Sequence, residues 1–306
     1  MAVLNPPRVI PGLGRSIVNF LIESRSTWDD AGLVEALKPA GVNDDGNAAD
    51  GVRNTLSAFR AIAIIESAPD GSTVVASSAT TTGRAFGRVE FRRLMLRHVF
   101  DLARDGDPWA VAEDDAVTRG ARDLTRALSW FLAQDVLAEP LSWTSNVQQL
   151  QATQFGTSEN DRWAIINDTR WNAFSRWAPA LGLAAPSVVR SRAGLVPLPT
   201  IAVADALDEM PAARAPIFEF LDALAQKLPV LPGGLIRNGL VTRLGSDPDP
   251  GIQAHAVDSS LAQALRILET RGRLKYETLA DAEGVQVSTL DQARTTHVTL
   301  KGGKKR

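Results

Sequence analysis

Apolar residues recur at three- and four-residue spacing along most of the chain, the pattern of helices that bury one face. Ile17, Phe20 and Leu21, then Leu33 and Leu37, predict two helices from Arg15 onward. SRSTWDD interrupts them, and Asp29 or Asp30 is placed to cap the second helix by accepting bonds from free backbone N–H groups. Roughly Asn47 to Ile65 reads as a third helix, with Val52, Leu56, Phe59 and Ile62 or Ala63 on one face. APDGSTVVAS follows, where PDG is a turn and Ser72 to Ala76 favours a strand. Helices followed by a short hairpin make the order of a winged helix, whose third helix enters the major groove while the wing touches backbone. Ahead of this, residues 1–14 hold three prolines and two glycines and read as an extended lead-in.

Residues 88 to 182 read as helical throughout, with DGDPWAVAEDD as a polar, proline-bearing connection. Near the end of that block, Asn167 or Asp168 is a good N-cap and Pro179 limits the helix that follows. Trp171, Phe174 and Trp177 then fall on one side of it as an apolar stripe, a pattern of burial rather than of base stacking. Trp163 precedes the cap and belongs to a different element, while Arg170 is placed to lie over the Trp177 ring.

An internal resemblance organises the whole. IVNFLIES at 17–24 is matched by IFEFLDAL at 217–224, and GLVEALKPAG at 32–41 by GLIRNGLVTRLG at 234–245. Both second segments run into Asp/Gly-rich loops, then into the amphipathic stretches GVRNTLSAFRAI and SSLAQALRILETRG. Each copy ends in β-prone sequence, STVVAS in the first and RLKYETL with THVTL in the second. The expected fold is mainly α with short β-hairpins, as two winged-helix-like units flanking a central helical domain. Its expected boundaries are a lead-in at 1–14, an N-terminal unit at 15–80, a helical domain at 81–200, a C-terminal unit at 201–300 and a basic tail at 301–306.

Composition narrows the chemistry. With no cysteine there is no disulfide framework, thiolate zinc site or Cys nucleophile. A formal charge of −2 argues against a protein that coats polyanions by bulk charge, so any nucleic-acid contact must come from arrangement. No apolar run approaches the ~18 residues of a membrane span, and the N-terminus lacks a signal-peptide pattern, so a cytoplasmic protein without membrane contact is expected.

His98, His255 and His297 lack metal-ligand spacing, PGLGRS and PGGLIRNG lack the lysine of a phosphate loop, and no GxSxG elbow presents a serine. Asp70 with Glu90 and Arg92 imitates a paired-carboxylate nuclease, but Arg92 stands where a proton-yielding Lys is needed. No catalytic residue, metal site or cofactor is therefore expected. Candidate phosphate contacts are Arg53 and Arg60 on the first third helix, Arg266, Arg271 and Arg273 on the second, and Lys301, Lys304, Lys305 and Arg306 in the tail KGGKKR.

MAVLNPP, NDTRWNAFSRWAPALGLA, LVPLPT and THVTL together resemble the DpdG family, encoded beside bacterial 7-deazaguanine DNA-modification and phage-defence genes. The resemblance implies a component of a multi-protein antiviral system and carries no catalytic residues with it. The expected function is a non-enzymatic accessory subunit that contacts DNA and other subunits of the complex. The alternatives are a structural protein–protein adaptor without DNA contact and a metal-dependent nuclease.

Overall fold

A computed structural model describes residues 2–5, 9–24, 26–38, 47–79, 83–109, 120–156, 163–189, 192–244, 256–287 and 294–301. The described chain is mainly α with short antiparallel strand pairs. It divides into two compact units, Met1–Thr125 with Asn167–Leu181, and Arg126–Ile166 with Gly182–Arg306.

In the first unit, helix α1 (Pro11–Glu23) begins four residues before Arg15, inside the stretch expected to be extended. Proline at the first helical position has no N–H to leave unsatisfied, and its fixed φ already suits the helix. Gly14 allows α1 to cross α3 (Asn47–Ala61) closely, because a Cβ there would lie 2.0 Å from the Phe59 ring. Helix α2 (Asp30–Leu37) is capped by Asp29, whose side chain accepts the Gly32 N–H. Helix α3 buries Val52, Leu56 and Phe59, and Ile62 is buried just beyond it. It ends with the Ala63 N–H donating to the Arg60 carbonyl and the Ile64 N–H to that of Phe59. Ala63 takes the left-handed φ of 55° that such an ending demands, a place where glycine is usual. The chain then forms a hairpin of β1 (Ile65–Ser67) and β2 (Thr73–Val75), with Ile65 opposite Val75. Asp70 shapes its turn by accepting from the Ser72 N–H and hydroxyl.

Helix α4 (Arg88–Val99) packs Phe91 in a stack with Phe59, and α8 (Asp168–Ala180) adds Trp177 to the other partner of that ring. Asn167 caps α8 by accepting the Arg170 N–H. The stripe of Trp171, Phe174 and Trp177 is buried, so these rings are core and not a stacking surface. Arg170 donates to the Asn5 side chain at 3.3 Å, and its charge acts on Asp123. Asp101 caps the short helix α5 (Leu102–Asp105) that follows α4. Pro108 and Trp109 are buried, so the start of the supposed polar connection is core, and the remainder of it lies outside the described residues.

The lead-in is also core. Ala2, Val3 and Leu4 are fully buried. The Val3 and Leu4 N–H groups donate to the Asp123 carboxylate at 3.1 and 2.7 Å, at the start of α6 (Arg122–Leu132). Burial pushes the Asp123 carboxyl up to about 6, against the opposing pull of the Leu4 N–H, the Arg170 charge and the Leu124 and Val3 N–H groups.

In the second unit, the later turns of α6 carry Trp130, whose indole N–H donates to Gln154 of α7 (Gln148–Phe155), and Gln154 donates in turn to Gln134. A π-helical turn, Trp143–Val147, leads into α7. Strands β3 (Ala185–Pro186) and β4 (Leu195–Val196) form a short pair ahead of α9 (Thr200–Asp208). Strand β5 (Arg214–Pro216) precedes α10 (Ile217–Lys227), α11 (Leu235–Val241) and α12 (Ser259–Thr270). After α12 come β6 (Leu274–Glu277), the small pair β7 (Val285–Gln286) and β8 (Arg294–Thr295), and β9 (His297–Leu300). Strand β9 is central, in the order β5–β9–β6, with both neighbours antiparallel.

The Asp123 carboxyl gives the first unit a pH signature. Its native value of about 6 lies above the ordinary 3.8, so the folded state binds the extra proton. That contribution is fully present below about pH 4 and is lost as pH rises through about 6, a change of about 3 kcal/mol. Urea unfolding of the wild type and of Asp123→Asn between pH 4 and 7 is expected to show the wild type losing stability relative to the variant across that window. A difference independent of pH would contradict this placement of the carboxyl.

Candidate nucleic-acid interface

The arginines expected to meet phosphate divide sharply once their neighbours are known. Arg60 of α3 makes a bidentate pair with Asp30 of α2, one bond at 2.7 Å, and donates to the Thr73 hydroxyl of β2 at 2.7 Å. Thr73 also donates to Asp30 at 2.6 Å. Arg60 holds the Asp30 carboxyl below the ordinary carboxylate range, with help from Thr73. This triad ties α2, α3 and the hairpin together, so Arg60 is a fold residue whose forked guanidinium is already matched to a carboxylate. Arg53 is exposed and pairs with Asp50 at 3.3 Å one turn away.

The tip of the same hairpin is acidic. Asp70, whose carboxyl the Ser72 hydroxyl and N–H hold low, lies with Asp29 on an open cleft of about 480 Å³. Trp28, Thr27, Gly71 and Ser72 complete its lining. Exposed carboxylates at a hairpin tip oppose approach to a phosphate backbone. Glu90, the other half of the nuclease-like pair, accepts the Gly87 N–H at 2.8 Å as a helix cap. Both carboxylates thus serve local turns.

The C-terminal unit presents the opposite sign. Pairing of β6 with β9 sets Lys275 opposite Thr299 and Leu274 opposite Leu300, and pairing of β5 with β9 sets Arg214 opposite the same Thr299. Because side chains alternate along a strand, Arg214, Lys275, Glu277, His297 and Thr299 share one face, while Leu274, Val298 and Leu300 share the buried one. On the outer face Arg214 donates to Glu277 at 2.9 Å and holds its carboxyl low, and Lys275, exposed like Arg214, adds its charge to that pull. One step beyond the ladder, the Lys301 N–H donates to the Arg273 carbonyl at 3.0 Å, so these two basic residues lie side by side. The Arg273 guanidinium is bonded to Asp208 at the end of α9.

Arg271 is exposed where α12 ends, and Arg266 is exposed one turn earlier. That turn lies near β6. Burial pushes the Tyr276 phenol well above its ordinary range, Glu269 adds to the push and Arg266 opposes it. Arg271, Lys275 and Lys301 thus lie along the α12–β6 connection and the end of β9 that pairs with it, whereas Arg266 stands on the Tyr276 side of β6, across the sheet from Lys275 and together with Glu269. Lys304, Lys305 and Arg306 lie outside the described residues, as does His255. Lys275 and Arg214 were absent from the sequence expectation because strand register decides which side chains share a face, and register is not visible in a single strand.

Of the remaining histidines, burial pushes His98 below its ordinary range, and its Nδ1 sits 2.9 Å from the Ile62 carbonyl. His297 faces the Thr296 hydroxyl at 3.1 Å. No group of three or more metal-ligating side chains occurs among the described residues, and among them no helix is long and apolar enough to cross a membrane.

Replacing Arg60 by Ala is expected to lower the stability of the N-terminal unit by about 1 kcal/mol while leaving any nucleic-acid affinity unchanged. Thermal unfolding and fluorescence anisotropy on the same preparation separate the two. Unaltered stability with weakened binding would return Arg60 to the interface.

A family model described as DpdG-like matches residues 1–282, and the chain belongs to that family. No curated protein and no solved structure matches it.

Proposed function

We propose that this member of the DpdG-like family is a non-enzymatic, nucleic-acid-associated accessory subunit of a bacterial 7-deazaguanine DNA-modification and defence system. Family membership suggests the system. The observation that supports nucleic-acid contact is the proximity of the exposed Arg271, Lys275 and Lys301 about the α12–β6 connection, with Arg266 exposed earlier on α12. We read residues 15–80 and 201–300 as winged-helix-like units, since α1–α3 precede the β1–β2 hairpin and α10–α12 precede β6 and β9. In the second of these the basic residues occupy the end of the third helix and the strands of the wing, where backbone phosphate is met. In the first, the corresponding positions are paired or acidic.

The reading assigns binding to phosphate rather than to bases, so it should weaken steeply with salt. Anisotropy titrations of labelled duplex DNA over rising salt are expected to give a slope of log K on log salt that falls by about 3.6 when Arg266, Arg271, Lys275 and Lys301 are changed together to Gln. An unchanged slope would sink the assignment. A second reading, an adaptor between proteins, draws on Val188, Leu235 and Leu137 of the second compact unit, which are 95%, 74% and 66% exposed. Nuclease-resistant co-purification with other subunits, in a protein that binds no DNA at low salt, would favour it.

A further inference from the structure

We propose that the outer edge of β6 is a dimerisation surface, where the strand pairs antiparallel with β6 of a second copy of this chain about a twofold axis at Tyr276. The pairing is independent of nucleic-acid contact.

Strand β6 stands at one end of the order β5–β9–β6, and no strand among the described residues pairs with its other side. Its bonding toward β9 fixes which backbone groups face away. The Arg273 carbonyl accepts the Lys301 N–H, and the Glu277 carbonyl accepts the Thr296 N–H. Bonding direction alternates along a strand, so the N–H and C=O groups of Leu274 and Tyr276 point outward, where a further strand would meet them. The opposite edge of the sheet carries a block. The Ala213 carbonyl accepts the Leu300 N–H, and the Ile217 N–H donates to the Thr296 carbonyl. The outward positions of β5 are therefore Arg214 and Pro216, and proline has no N–H to offer. Strand β6 has no proline.

A lysine in the middle of an edge strand ordinarily deters a second strand. Register decides whether Lys275 does so here. Outward groups must bond to outward groups, which limits how two β6 strands can align. The register that sets Leu274 against Tyr276 brings Lys275 against Lys275, and the one that sets Tyr276 against Thr278 brings Glu277 against Glu277. Like charges directly opposite oppose pairing. The register between them sets Tyr276 against Tyr276. It places Lys275 of each copy opposite Glu277 of the other, so one twofold axis makes two opposite-charge pairs. Both pairs fall at non-hydrogen-bonded positions, where facing side chains come closest. Lys275 and Glu277 share the outer face, Lys275 exposed and Glu277 half-buried, with Glu277 already held by Arg214 and Thr299. Lys275-Tyr276-Glu277 is thus self-complementary about its centre. An ammonium has three donors, so a Lys275 paired in this way can still meet phosphate.

Sedimentation velocity of the full chain over a range of concentrations tests the pairing, and the wild type is expected to dimerise as concentration rises. Lys275→Glu or Glu277→Lys alone sets like charges at both pairs and should weaken dimerisation about tenfold or more. An equal mixture of the two variants should restore it, because each supplies the charge that the other lacks. A wild type that stays monomeric overturns the inference, as do variants that dimerise like the wild type or a mixture that associates no better than its components. If either reversal does not fold, chains carrying Lys275→Cys and chains carrying Glu277→Cys decide the matter, since the native sequence has no cysteine. Facing positions lie within disulfide reach and the diagonal ones do not, so oxidation is expected to join one variant to the other and neither to itself. No disulfide, or like chains joined as readily as unlike ones, would overturn the pairing.

Discussion

A buried ion pair organises the C-terminal unit. Arg237 of α11 and Asp258 at the cap of α12 face each other at 3.3 Å with side chains only 1% exposed. Two charges taken this far from water must satisfy each other and find further partners, or the fold cannot bear their desolvation. Arg237 donates to the Ser129 carbonyl of α6 at 3.1 Å, and Asp258 accepts the Leu261 N–H. Ser260, next to the cap, donates to the Leu132 carbonyl at 2.7 Å. The pair thereby locks α6, α11 and α12 in one arrangement. The strands that follow α12, and the basic residues they carry, take their position from it.

The N-terminal unit solves a related problem with a single carboxylate. Asp123 draws in the N–H groups of Val3 and Leu4, which turns an otherwise loose terminus into core. In the same unit Phe59 forms a hub, stacked with Phe91 of α4 and with Trp177 of α8. Gly14 lets α1 come close to that ring. In both units the polar groups nearest the core serve the fold.

Local chemistry made part of this legible in the sequence. Asp29 and Asn167 cap the helices they precede because N-cap bonding reaches only three residues. The 3.6-residue period located the buried faces of α3 and α8, and THVTL and RLKYETL pair as β9 and β6. What escaped depends on distant partners. Asp123 lies 120 residues from Val3, and no period in MAVLNPP announces that it is buried. Arg60 is thirty residues from Asp30, so its employment in the fold is hidden until α2 and α3 pack. Trp171, Phe174 and Trp177 were legible as core, but their membership in the same unit as α1 and α3 was not, since helix periodicity says which face is buried and not against what.

On the proposed function the basic side chains fall into two sets, those that hold the fold and those turned toward a polyanion. Chemical footprinting of arginine and lysine side chains, with and without duplex DNA at low salt, addresses that division directly. Protection is expected at Arg266, Arg271, Lys275 and Lys301, with Arg60 and Arg237 equally unreactive in both states. Equal labelling of the outer set with and without DNA, under conditions where the duplex is bound, would contradict it.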